Sequence, residues 1–266
     1  MLAAERRMLI LDKLQEEKSV VVSELSSIFQ VSEETIRRDL EKLEKDGFAV
    51  KSYGGATFNE HSNDMPFSIR NKANMSGKQK IAEIIATIVG DGEHIILDPS
   101  TTAVAIARAL KDKNNLTVIT NSLEVLMEQP DNGSWEMIST GGVLREDYLA
   151  LVGPRTLEAI ESYNVDKVII SCKGLSMEKG ITDTNEMFSL VKQAMLKSGG
   201  EKILAADYRK FDIIGFSKIC DLSEFDIVVT DRKPTDGWSK YFEDKGIKCV
   251  YAEEKEDSYG GRVSKE

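Results

Sequence analysis

Apolar positions recur at helical spacing through the first sixty residues, then gather into short strand-like runs separated by further helical stretches. From Glu5 to Glu17, Met8, Leu11 and Leu14 repeat every third position, with Leu9 and Ile10 widening the stripe, which predicts a first helix. Val20, Val21 and Val22 form a short β-prone run. Ser23 reads as the N-cap of a second helix, Glu24 to Phe29, and Ser32 as the N-cap of a third running to Asp46, where Gly47 stops it.

The third helix carries the most information. Ile36, Leu40 and Leu43 share one face, so that face packs inward. At about 100° per residue, Glu34, Arg38, Glu41 and Lys45 lie opposite, flanked by Thr35 and Arg37. The N-terminal half of the exposed face therefore offers Thr35, Arg37 and Arg38, suited to phosphate oxygens or guanine edges. Phe48 to Phe58 reads as strand, turn and strand, with Gly54-Gly55 expected to supply the turn. A hairpin bearing Lys51 and Tyr53 beside such a helix is a wing, and Ser32, Thr35, Arg37, Arg38, Lys51 and Tyr53 are the candidate DNA contacts.

Residues 59–75 are polar, interrupted by Pro66, and read as a linker with at most a short turn. Ser76 followed by Gln79 matches a capping box opening a helix through Ile88. Beyond it, strand-like runs at His94–Leu97, Leu116–Thr120, Trp135–Ser139, Lys167–Ser171, Lys202–Ala206, Ile227–Thr230 and Ile247–Tyr251 alternate with helical patterns. That alternation predicts an α/β domain over 76–252, a mainly parallel sheet covered by helices, preceded by a small α+β winged helix-turn-helix over 1–58. Residues 253–266 read as a polar tail.

In sheets of this kind ligands bind beyond the carboxyl ends of the strands. Asp98, Ser100, Thr101 and Thr102 follow the first strand, and hydroxyls with free N–H groups at a helix start suit a phosphate. Asn121 and Ser122 follow the second with the same chemistry. Thr140, Gly141 and Gly142 follow the third, where glycines permit close backbone approach. Lys173 follows the fourth, and Asp207 with Lys210 the fifth. Together these loops offer hydroxyls, amides, two cations and two carboxylates, the groups that hold a phosphate at one end and sugar hydroxyls at the other.

Composition narrows the reading. No apolar run approaches the ~18 residues that span a bilayer, and Met1 to Asp12 lacks a signal-peptide core, so a cytoplasmic protein with no membrane partner is expected. Cys172, Cys220 and Cys249 are widely spaced, which predicts reduced, mostly buried thiols. His61 and His94 stand far apart, so no metal site or cofactor is expected. Charge raises a difficulty. The net charge is −10, and residues 1–58 hold nine Lys/Arg against eleven Asp/Glu, about −2. A DNA-binding unit of that balance must focus its cations on one face, and pooling contacts in a homodimer or homotetramer would help.

Arg7, the Ser-Glu-Glu-Thr-Ile-Arg-Arg-Asp-Leu run (Ser32 to Leu40) and Tyr53-Gly54-Gly55-Ala56 resemble the DeoR family of repressors. The likeness continues through Asp98 with Thr101-Thr102, Thr120-Asn121-Ser122, Thr140-Gly141-Gly142, Val152-Gly153, Lys173-Gly174, Gly180-Ile181-Thr182 and Asp207 with Lys210-Phe211. It implies a sensor domain similar in fold to ribose-phosphate isomerases. In it, Ser100, Thr101, Thr102 and Lys210 hold phosphate, while Asp98, Lys173 and Asp207 orient the sugar. Lys192 matches the lysine usual on its helix, Phe188 stands where many relatives carry glutamate, and Pro99 where many carry serine or alanine. Tyr53 replaces a common histidine or arginine. The partners implied are operator DNA and a phosphorylated sugar, for a repressor of a sugar-catabolic operon. Two rivals remain at this point: a sugar-phosphate isomerase or deaminase with an accessory domain, and a DNA-binding protein whose α/β domain only oligomerises.

Overall fold

The computed structural model describes residues 1–45, 47–59, 67–131 and 133–253. Asp46, His61, Pro66 and the expected tail beyond Glu253 lie outside the described residues.

The N-terminal unit comprises α1 (Ala3–Glu17), β1 (Ser19–Val21), α2 (Val22–Phe29), α3 (Glu33–Lys45), β2 (Ala49–Ser52) and β3 (Gly55–Phe58). Its core joins Ile10, Leu11 and Leu14 of α1 to Leu25 of α2, Ile36, Leu40 and Leu43 of α3, and Phe48. The inward face of α3 is therefore the one its periodicity predicts, and Glu34, Arg38, Glu41 and Lys45 are exposed. Three antiparallel strands in the order β1-β3-β2 form the wing sheet.

Two local expectations fail here for steric and capping reasons. Helix α2 begins at Val22 rather than after Ser23, because extended Val21 is its N-cap. Ser23 instead lies inside, its carbonyl accepting from the Ser27 hydroxyl. The wing turn is Tyr53-Gly54, with Gly54 at φ +83°, not the glycine pair. Gly55 already belongs to β3, where a Cβ would stand 2.0 Å from the Val20 carbonyl oxygen, so this glycine serves close strand approach.

The connector holds α4 (Phe67–Lys72), which contacts the following domain. Then come α5 (Met75–Ile88), β4 (His94–Leu97), α6 (Thr101–Ala109), β5 (Thr117–Thr120), α7 (Leu123–Leu126), β6 (Glu136–Ser139), β7 (Val143–Arg145) and β8 (Ala150–Val152). They are followed by α8 (Pro154–Glu161), β9 (Lys167–Ile170), β10 (Gly174–Ser176), β11 (Gly180–Asp183), α9 (Glu186–Lys197) and β12 (Glu201–Ala205). The last are β13 (Ser217–Cys220), β14 (Ile227–Thr230), α10 (Asp236–Lys245) and β15 (Lys248–Tyr251). Helix α5 is capped by Asn74, whose side chain accepts from Gly77 N–H, so the Ser76 capping box does not form.

Seven strands make one sheet in the order β15-β14-β12-β9-β4-β5-β6, every neighbouring pair parallel. They coincide with the seven runs read from the sequence to within a residue at each end. Successive side chains feed opposite cores, as a pleated strand requires. Ile95 and Leu97 of β4 face α5 and α6, whereas Ile96 faces the side that holds α8, α9 and α10. Not expected were the β7–β8 hairpin and the antiparallel sheet β10-β11-β13, both built of strands only three or four residues long. These additions stand above the carboxyl ends of the central strands and supply walls there.

Candidate functional site

A cavity of about 140 Å³ opens where β4, β9 and β12 end. Of the residues singled out from the strand ends, Ser100, Thr101, Thr102, Lys173, Asp207 and Lys210 line it together. Asp98 lies just beneath, fully buried, its carboxylate accepting from Ser171 N–H (3.0 Å) and Ser100 N–H (3.2 Å). One carboxylate thereby joins the ends of two adjacent strands.

The other five stand apart from this cavity. Asn121 donates to the Leu151 carbonyl (2.8 Å), and Ser122 caps α7 by accepting from Val125 N–H. The Thr140 hydroxyl donates to the Gly141 carbonyl (3.2 Å), which also accepts from Thr156 (2.7 Å). A Cβ on Gly142 would lie 2.2 Å from the Thr156 hydroxyl. Their polarity and their glycines thus serve the junction of the sheet with the β7–β8 hairpin and α8. Thr140, Gly141 and Gly142 are remote because β6 is an edge strand, two places from β4, whereas Asn121 and Ser122 follow β5, beside β4, but spend their side chains on the β8 backbone and the start of α7.

Several lining residues escape the strand-end rule because they come from other elements. Arg70 and Ala73 arrive from the connector, Lys78 from α5, Tyr148 from the turn between β7 and β8, Asp183 and Thr184 from the end of β11, and Arg209 from the loop after β12. Lys192 and Phe188, which enter the reading only through the family resemblance, line it too, from α9.

The cavity lining holds two charged groups. In one, buried Lys192 is 2.5 Å from Asp183 and 3.2 Å from Asp98, and donates to the Ser171 carbonyl at 2.8 Å. Burial opposes the charge on Lys192, yet Asp183 and Asp98 hold its pKa above the ordinary value. Burial likewise opposes the charge on Asp183, and Lys192 holds it below the carboxylate range. The Ser171 hydroxyl is buried at this wall with no hydrogen-bond partner among the described residues. A buried hydroxyl normally has a partner. Tyr148 and Phe188 stack at 4.2 Å as an aromatic side, and the Tyr148 hydroxyl meets Thr184 at 2.9 Å. Burial pushes the Cys172 thiol up to about 12, so it lines the wall as an un-ionised group with no nucleophilic character.

In the second group stand Arg70, Lys78, Arg209 and Lys210 with Asp207. The Arg70 guanidinium lies 4.3 Å from the Tyr148 ring centroid. Arg209 donates from Nε to Asp207 (3.1 Å) and from Nη1 to Asp12 of α1 (3.4 Å). Burial would raise the Asp207 pKa, but Lys210 and Arg209 hold it low. Lys78 donates to the Arg70 carbonyl, and burial pulls its pKa down to about 7 against the pull of Asp207. Clustered cations together with paired carboxylates and hydroxyls in one cavity suit an anion joined to a polyol.

The N-terminal unit presents its own surface. The Ser32 hydroxyl accepts from Thr35 N–H (3.2 Å), so it caps α3 as expected. Arg37 and Arg38 are exposed and held by Glu33 (2.7 Å) and Glu34 (3.3 Å), one turn back on the same helix. Lys51 of the wing reaches Glu41 (2.9 Å), and Tyr53 is fully exposed at the wing tip. Surface pairs of this kind contribute little stability. Below them Asp39, on the buried side of α3, accepts from Arg6 (2.6 Å) and Arg7 (3.4 Å) of α1. Among the described residues no group of three or more His, Cys, Asp or Glu could hold a metal ion. Nor is any described helix long and apolar enough to cross a membrane.

Two family models match. Residues 6–62 fit the DeoR-like helix-turn-helix domain, and residues 73–232 fit the DeoR C terminal sensor domain. The chain belongs to the DeoR family. Full-length relatives agree. An uncharacterized HTH-type transcriptional regulator of Bacillus subtilis, YulB, is 41% identical over 94% of this chain and 97% of its own. The transcriptional repressor GlcR of the same organism is 33% identical over 95% and 97%, and the L-fucose operon activator of Escherichia coli is 32% identical over 86% and 96%. Among solved structures, a ribose 5-phosphate isomerase from Methanocaldococcus jannaschii aligns over 50% of this chain and 53% of its own, at 15% identity and a TM-score of 0.35. This DeoR-family member is a DNA-binding transcriptional regulator, with relatives along nearly its whole length that are regulators. The isomerase alternative left open by the sequence is thereby set aside.

Proposed function

We propose that this regulator represses a sugar-catabolic operon from the cytoplasm, as a homodimer or homotetramer, and that a phosphorylated sugar in the strand-end cavity alters its affinity for operator DNA. The observation that carries the reading is the cavity's mixed lining: the cations Arg70, Lys78, Arg209 and Lys210 together with the buried Asp183–Lys192 pair and the Ser171 hydroxyl. The printed name of the fucose operon activator, a relative spanning most of the chain, supports a sugar-linked role. Ser100, Thr101, Thr102 and Lys210 hold the phosphate, with N–H groups at the start of α6 helping. Asp98, Lys173 and Asp207 set the orientation of the sugar, Asp98 through Lys192. Operator contacts come from Ser32, Thr35, Arg37 and Arg38 of α3 and from Lys51 and Tyr53 of the wing. The domain division is 1–58 for DNA, 59–75 for the connector and 76–252 for sensing.

A thermal-shift screen of the full-length protein against aldose and ketose phosphates tests the sensing role. One or more compounds should raise the melting temperature of the wild type and fail to do so with Lys210→Ala. A panel that shifts neither protein, or shifts both equally, contradicts it.

A further inference from the structure

We propose that the anionic end of the effector is received at the seam between the two domains, by Arg209 with Lys78 and Lys210, and that it takes Arg209 away from Asp12 of the DNA-binding unit. The proposal rests on the sugar-phosphate reading above. It adds the route by which occupancy is felt at the DNA-binding surface.

Arg209 is one guanidinium with two carboxylate partners that belong to different domains. Its Nε serves Asp207, a cavity residue, and its Nη1 serves Asp12, which lies 197 positions earlier on α1. Arg209 itself lines the cavity. A phosphate monoester carries about −1.5 to −2 charge near neutrality and presents three acceptor oxygens, against one charge on Asp12. It also engages guanidinium bidentately. The contact to Asp12 is longer, at 3.4 Å, than the 3.1 Å contact to Asp207, so it is the weaker of these two. Burial raises the pKa of Asp12, with Arg209 and Lys78 the main groups opposing that rise. Once both cations turn to a phosphate, the half-buried Asp12 loses its stabilisation and must regain water or take up a proton.

Helix α1 cannot make that adjustment alone. Ile10, Leu11 and Leu14, on either side of Asp12, are locked in the core that holds α3. One and a half turns earlier, Arg6 grips buried Asp39 of α3 at 2.6 Å. Movement of α1 at Asp12 therefore carries α3, and with it Arg37 and Arg38, relative to the sensor domain. The effector acts by differential affinity for the two arrangements, as coupling requires.

The test uses inorganic phosphate as probe on the full-length chain, with calorimetry for affinity and hydrogen exchange at residues 1–17 for the response. Phosphate should bind the wild type and speed exchange along α1. Asp12→Asn, which removes the competing charge, should bind phosphate at least about fivefold more tightly and lose the exchange response. Asp12→Glu should behave as wild type, which separates competition from damage to the fold. Lys210→Ala should weaken binding in every background. If phosphate binds and Lys210→Ala weakens it, but both Asp12 variants leave affinity and exchange at wild-type values, the competition is refuted and the effector reading stands. Weaker binding by a folded Asp12→Asn also refutes the competition, and if that variant does not fold, Asp12→Glu decides. Loss of the exchange response in that variant also refutes the proposal. If the wild type binds no phosphate, both readings fall.

Discussion

Lys78 is a residue whose surroundings change its chemistry strongly. Burial lowers its pKa from an ordinary value of 10.5 to about 7, while Asp207 pulls upward and Lys210, Arg209 and Arg70 push further down. Asp12 also approaches from α1, and Asp231, at the end of β14, lies against the neighbouring Gly77. At pH 8 the folded protein therefore holds Lys78 mostly neutral, whereas the unfolded chain keeps it charged. The folded state binds fewer protons between about pH 7 and 10, so this residue's contribution to stability rises with pH across that window. Lys78→Met should flatten that rise in urea melts taken from pH 7 to 10. Phosphate arriving beside Lys78 favours its charged form, so binding at pH 8 should take up as much as one proton. Calorimetry in buffers of differing ionisation heat measures this. Buffer-independent heats in the wild type would show that Lys78 does not face the anion. Asp39 offers a second test at this scale. Asp39→Ala leaves Arg6 buried without its partner and should cost about 3 kcal/mol in the unfolding of the N-terminal unit. A loss under 1 kcal/mol would mean that Arg6 reaches water unaided.

Among the elements, what periodicity can announce is what came through. The seven sheet strands are apolar, β-branched and flanked by turns, so their runs stand out from one sequence. The inward face of α3 is equally plain from Ile36, Leu40 and Leu43. Local polar signals fared worse: Asn74 and Tyr53-Gly54 take the cap and turn that Ser76 and the glycine pair announce, and α2 starts from Val21 with no side-chain cap at all. Val21, Asn74 and Tyr53-Gly54 hold those places because tertiary contacts choose among equivalent local solutions. The site was half legible for a related reason. Strand-end loops are visible in sequence, but which of them converge depends on sheet order, and β6 falls at the edge. Arg70 and Lys78 precede the first sheet strand altogether. One signal could have found the missing charges. Lys78 shares a helical face with Ile81, Ala82 and Ile85, Lys192 with Phe188 and Met195, and Asp39 with Ile36, Leu40 and Leu43. A charge set into an apolar stripe is buried with a partner or a purpose. The close approach of β1 and β3 yields a prediction at this scale. Gly55→Ala should destabilise the N-terminal unit by about 1–3 kcal/mol through the clash with Val20 and impair DNA binding. Effector-induced thermal shifts of the sensor domain should persist, and their loss would show that the wing is needed to form the cavity.

For the molecule as a whole, the near-balanced charge of residues 1–58 sets how it meets DNA. Arg37, Arg38 and Lys51 are each tied to a glutamate of the same unit, so under the proposed DNA contacts binding exchanges internal pairs for phosphates and a few placed cations carry it. Affinity should fall linearly with salt on logarithmic axes, and Arg38→Ala should lower that slope by about 1 for each protomer in which it meets a phosphate. An unchanged slope would assign Arg38 to base reading or to solvent. The central claim joins the two domains through one ligand. Its most direct test is fluorescence anisotropy with a DNA fragment selected from genomic DNA by the full-length protein, titrated with the sugar phosphate that gives the largest thermal shift. DNA affinity should change by at least about fivefold on saturation in the wild type, and by less than twofold in Lys210→Ala, which should still bind DNA normally. A wild-type affinity that stays constant while the ligand is bound would contradict the account.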